Sequence, residues 1–153
     1  MKVSLTGLAL LLATQAPASM AAERYLLQSP GAQCQPAEPR YAAYIDHLDG
    51  GAMAHADVVV SCALPAVPPG YVKTAVTVSL LDLHRSWGKQ GCRAHNLYGN
   101  MTGAAPIVPI RGREHLAEAS WPVDPRGVVP HAVVCELRAG QKLYALQVEV
   151  APE

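Results

Sequence analysis

A β-branched run that ends on a cysteine occurs twice in this chain, as DVVVSCALP at 57–65 and as HAVVCELRAG at 131–140. These runs narrow the fold because alternate side chains of an extended strand point to opposite faces. In the first, Val58, Val60, Cys62 and Leu64 share one face. In the second, Val133, Cys135 and Leu137 do, while Glu136 points away. Each cysteine therefore faces an apolar layer. A half-cystine fits there; a reactive thiolate does not, because apolar surroundings raise a thiol's pKa.

Glycine and proline punctuate the rest, 12 and 13 among 153 residues, so elements are short. No long stretch has helical periodicity. Strand-like runs fall at 41–48, 55–64, 71–83, 91–99, 105–110, 130–137 and 142–150, and 116–123 reads either as a strand or as a helical turn. The prolines confine 105–110 to an edge. The last two runs read as a hairpin, and DGG at 49–51 reads as a turn between two strands. The expected fold is all-β: a single antiparallel β-sandwich of about seven or eight short strands, stapled by two disulfides. The echo between the two cysteine runs marks two central strands rather than a duplicated unit. Phenylalanine is absent, so Val, Leu, Ala, Tyr and two tryptophans must build the core.

The first residues read as an export signal: Lys2, an uncharged run from Val3 to Ala13, then small residues with a cut after Ala21 or Ala22. The run is too short to span a bilayer, which takes about 20 residues. Residues 1–22 are thus expected to be removed and 23–153 to form the sandwich, in the periplasm or outside the cell. Without Lys2, 11 basic residues stand against 12 acidic ones. No basic stripe exists to attract phosphates, so nucleic acid is not expected as a partner, and no second apolar run of membrane length follows, so membrane insertion after cleavage is not expected either.

Cys34, Cys62, Cys92 and Cys135 are an even set in a small exported chain, which reads as two disulfides. Three pairings are open; the preferred one joins Cys34 to Cys62 and Cys92 to Cys135. The rival is zinc, held by Cys92, His95, His131 and Cys135, although three-residue spacing puts Cys92 and His95 on opposite faces of a straight strand.

An early cysteine, then VVVSCALP, VTVSLLDL, a lone cysteine strand and HAVVCEL together resemble a loose group of small exported bacterial proteins of unknown function. The resemblance spans roughly residues 33 to 150. It implies a cysteine-stapled β-sandwich and brings no catalytic residues.

Candidate sites are few. Asp46, His47, Asp49, His55 and Asp57 form a polar hairpin end that could hold a metal. Asp82 and His84 precede Arg85, Ser86 and Trp87, but no nucleophile elbow accompanies them. Glu114 and Glu118 would pair as general acid and base only on a helix. Asn100–Thr102 matches a glycosylation sequon. Arg85 and Trp87 are the better clue to a binding surface, because Trp and Arg are enriched at binding hot spots, and Tyr98 and Trp121 either join them or fill the core. The expectation is a non-enzymatic binding or structural module without a cofactor, whose partner is a protein or a glycan. A histidine metal protein and a small hydrolase are the competing classes.

Overall fold

The computed structural model describes residues 24–85, 87–124 and 126–153; the expected export signal lies outside them. Twelve strands follow in chain order: β1 Tyr25–Pro30, β2 Gln35–Pro36, β3 Ile45–Leu48, β4 Gly51–Ala54, β5 Val58–Ala63, β6 Tyr71–Asp82, β7 Gly91–His95, β8 Met101–Pro106, β9 Val108–Ile110, β10 Arg113–Pro122, β11 Ala132–Leu137 and β12 Gln141–Pro152. Short 3-10 turns fill Gly31–Gln33 and Pro39–Tyr44. The strands form an antiparallel sandwich. Its seven-stranded sheet runs β3-β4-β12-β6-β10-β9, with β1 also on β12, and its five-stranded sheet runs β2-β5-β11-β7-β8.

The two cysteine runs are neighbours in the five-stranded sheet, Val133 opposite Cys62 and Cys135 opposite Val60. Their alternation buries Val58, Val60, Cys62, Val133, Cys135 and Leu137. Across the interior they meet Val76, Val78 and Leu80 of β6, Ala117, Ala119 and Trp121 of β10, and Leu143, Leu146, Val148 and Val150 of β12. Disulfides join Cys34 to Cys62 and Cys92 to Cys135, each with Cα atoms 4.2 Å apart. Cys92 stands directly opposite Cys135 on the adjacent strand. Cys34 extends β2, whose Gln35 pairs with Ser61. Both bridges lie on the inner face of one sheet and tie neighbouring strands, not the two layers.

Several sequence readings are corrected. β11 and β12 are not a hairpin: residues 138–140 carry the chain from one sheet to the other. Gly140, at φ 85°, makes that arch, and Gln141 ties it by accepting from the Arg138 N–H through its side chain. A register shift between Leu143 and Ala145 turns Leu143 inward in place of Tyr144. The run at 41–48 starts as a 3-10 turn, because Pro39 opens a turn and lacks a ladder donor; strand begins only at Ile45. The 105–110 run breaks at buried Ile107, and its halves become edge strands of different sheets. Residues 113–122 are strand throughout. β1, β2 and β4 are additional strands. The Asp49–Gly50 turn, with both φ values positive (48° and 74°), joins β3 to β4 as the DGG reading requires.

One further bulge matters. Opposite Glu149 and Val150, Thr74 is extra on β6, and the shift buries Lys73. Its Nζ donates to the Pro130 carbonyl at 2.7 Å, and burial lowers its pKa.

Candidate ligand-binding cleft

One candidate site is a cleft of about 450 Å³ where β5 begins and β11 ends. Those strand ends are rigid: Val58 pairs with Leu137 and Val59 with Glu136. The 3-10 turn forms one wall, anchored by the Ala37 N–H donating to the Val59 carbonyl at 2.8 Å. That wall presents Glu38 and Tyr41. Arg40 sits over the Tyr41 ring, 4.7 Å from its centroid, and the Tyr44 ring packs at 5.4 Å, so the ring is braced by its neighbours. Lys89 and Gln90 arrive from the β6–β7 loop, and Glu136 and Arg138 from the end of β11.

Beneath the cleft lies a buried amide network. Gln90 and Gln141 exchange two hydrogen bonds, Nε2 to Oε1 at 2.9 and 3.0 Å. Gln141 also donates to Asp82 Oδ2 at 3.0 Å. Gln141 and Asp82 are fully buried. Asp82 Oδ1 accepts the backbone N–H of His84, not its ring, so the two do not form a catalytic dyad. The His84 ring lies against Gly140, where an added Cβ would come within 2.5 Å of it.

The sequence candidates divide between the two ends of the sandwich. Arg85 is exposed at φ 54°, a conformation non-glycine residues rarely adopt. Its guanidinium donates to Glu114 at 2.6 Å and contacts His115 Nε2 at 2.9 Å, which holds it there. Half-buried Trp87 donates Nε1–H to the Glu114 carbonyl at 2.9 Å. Both belong to the loop that supplies Lys89 and Gln90. Tyr98 is 89% exposed in the β7–β8 turn at the opposite end, and Trp121 is only 6% exposed. Glu114 and Trp121 are seven residues apart on β10, about 23 Å along a strand. The four therefore do not form one surface. Trp121 lines a crevice of about 290 Å³ with Met101, Thr102 and Val128. Among the described residues, Thr102 Oγ1 and Trp121 Nε1 are buried there without partners. Leu97, Tyr98, Met101 and Val128 leave this end apolar and exposed.

The zinc alternative fails on chemistry: Cys92 and Cys135 are bonded to each other and carry no thiolate to give. His95 Nδ1 meets the Gly99 carbonyl at 2.9 Å. At the hairpin end, His55 Nε2 pairs with Asp46 Oδ2 at 2.6 Å. Among the described residues, no group of three or more His, Cys, Asp or Glu is placed to hold a metal. Glu114 and Glu118 lie on a strand, about 13 Å apart by its rise, too far to act as a pair. Sequence reading overlooked Tyr41, Gln90 and Arg138, because a 3-10 turn, a loop end and a strand end converge only in the folded chain.

No protein-family model matches the chain, and no curated protein matches it in sequence. Its fold is similar to that of a solved low-affinity xylan-binding module, CBM86, from the gut symbiont Roseburia intestinalis. The TM-score is 0.50 at 12% identity, over 82% of this chain and 96% of that one. At that identity the likeness is one of fold alone.

Proposed function

We propose that this protein is an exported, non-catalytic glycan-binding module and that the cleft beside Tyr41 is its binding site. The observation that carries this reading is the cleft's composition: an aromatic ring on a braced wall, with Gln90, Asp57, Glu38 and Glu136 around it. A sugar ring offers an apolar face to an aromatic side chain and hydroxyls to amides and carboxylates. Sites of this kind are concave, with a few convergent polar groups that fix orientation. The buried amide network under Gln90 pre-organises the floor, which limits the entropy lost on binding. The fold likeness to a xylan-binding module supports the reading, and two disulfides fit an oxidising compartment.

Affinity electrophoresis through gels containing xylan, β-glucan or mannan tests it. Retardation by at least one polymer is expected, with Tyr41→Ala migrating as though no polymer were present. Unchanged retardation of Tyr41→Ala would move the site away from this cleft. Absence of retardation in every gel would remove the glycan reading. The exposed apolar end at Leu97, Tyr98 and Met101 favours a second reading, in which that end docks a protein.

A further inference from the structure

We infer that the cleft selects acidic glycans, with Arg138 and Lys89 receiving the carboxylate of a uronic acid residue whose ring lies against Tyr41; this rests on the glycan-binding reading above. The charges around the cleft are unequally committed. Glu38 is paired with Arg40 at 2.7 Å, and Glu136 with Arg93 at 3.3 Å. Asp57 accepts the Ala139 N–H at 3.3 Å. Among the described residues, neither Arg138 nor Lys89 has a carboxylate partner. Two carboxylates are thus salt-bridged, one is held by a backbone donor, and two cations of the lining remain without a carboxylate among the described residues.

Arg138 is also positioned. Its guanidinium lies against Gly88, where an added Cβ would come within 2.6 Å of Nη2, so the fork rests on bare backbone. The Arg138 N–H donates to Gln141 Oε1 at 2.9 Å, which fixes the start of the side chain over the buried network. A planar fork held this way matches a carboxylate through two parallel hydrogen bonds. Lys89, exposed on the loop beside it, adds a second positive charge. A neutral sugar would leave both cations unanswered, whereas a uronate satisfies them while its hydroxyls meet Asp57.

The test is titration calorimetry of the full chain with glucuronoxylan, with the same polymer after reduction of its carboxyl groups, and with poly-glutamate as an anion lacking sugar. Glucuronoxylan is expected to bind at least about tenfold more tightly than its reduced form, the scale of a charge-assisted hydrogen bond. Arg138→Gln and the exposed variant Lys89→Gln should each narrow that gap, and raising salt should do the same for the parent. Arg138→Lys should keep part of the preference, since it retains charge without the fork. Equal binding of native and reduced polymer would overturn the acidic preference and leave the glycan reading intact. Equal binding of poly-glutamate would overturn recognition of a sugar acid in favour of bare charge. Binding to none of them would overturn both readings.

Discussion

Gln90 and Gln141, 51 residues apart, face each other amide to amide inside the protein and exchange two hydrogen bonds. Gln90 comes from the loop before β7, in the five-stranded sheet. Gln141 opens β12, in the seven-stranded sheet. The pair joins the two layers with polar bonds where no disulfide does. It also carries Asp82, and through Asp82 the backbone of His84.

Replacing Gln141 by leucine should therefore cost more than its volume suggests. The Gln90 amide and one Asp82 oxygen would each lose a buried partner, and the Arg138 N–H its acceptor. A loss of about 2–4 kcal/mol is expected. Urea unfolding checks it, and Gln147→Leu on the same strand, half-buried and outside the network, should cost far less.

Gly31 is tolerated only because it lacks a side chain. A Cβ there would press into the backbone carbonyl of Leu143, which is fixed in β12. Gly31→Ala should destabilise by at least about 3 kcal/mol, at the upper end for overpacking. Gly50→Ala meets nothing within reach and carries only the strain of its positive φ. Thermal melts of the two should differ clearly.

Each bridge closes a loop, with cysteines 28 and 43 residues apart. The chain-entropy relation assigns about 3.5–4 kcal/mol to each, slightly more to the longer. A non-reduced peptide map should recover Cys34 with Cys62 and Cys92 with Cys135. Reduction should lower the melting temperature sharply, and Cys→Ala pairs made separately should show comparable losses.

Lys73 gives a pH signature. Burial lowers its folded pKa, while the unfolded chain keeps a value near 10.4. Between those two values the unfolded state binds more protons than the native state, so this residue's contribution to stability rises with pH across that window. Below the lowered pKa the charged amine remains a cost relieved only by the Pro130 carbonyl. In Lys73→Met the alkaline rise should vanish. Urea midpoints from about pH 7 to pH 10.5 measure it, and an identical profile in both proteins would contradict it.

The sandwich was legible because alternation is a local property. Val58–Val60–Cys62 and Val133–Cys135–Leu137 state their inner faces without reference to anything distant. The arch at 138–140 was not legible, because a tight glycine turn between two alternating strands serves a hairpin or a crossing between layers equally well. Only the partner of Gln141 decides, and it lies far away in sequence. Lys73 was hidden for a related reason: one extra residue at Thr74 reverses the facing of everything before it. Trp87 drew notice as an aromatic beside an arginine, yet its indole N–H is committed to β10. Tyr41 drew none, since its ring acquires a role only when the turn folds against β5.

β1 and β12 lie side by side and antiparallel, Tyr25 opposite Val150. Tension applied at Arg24 and Glu153 would meet this ladder one rung at a time, as when a strip of tape is peeled, instead of shearing all rungs together. Rupture should begin at low force and then stop short. The 28- and 43-residue spans behind the two bridges lie outside the path of the pull, so the stretched chain would stay shorter than its residue count implies. The covalent staples thus set how far the molecule can be drawn out, and the terminal strands set how readily it starts to yield.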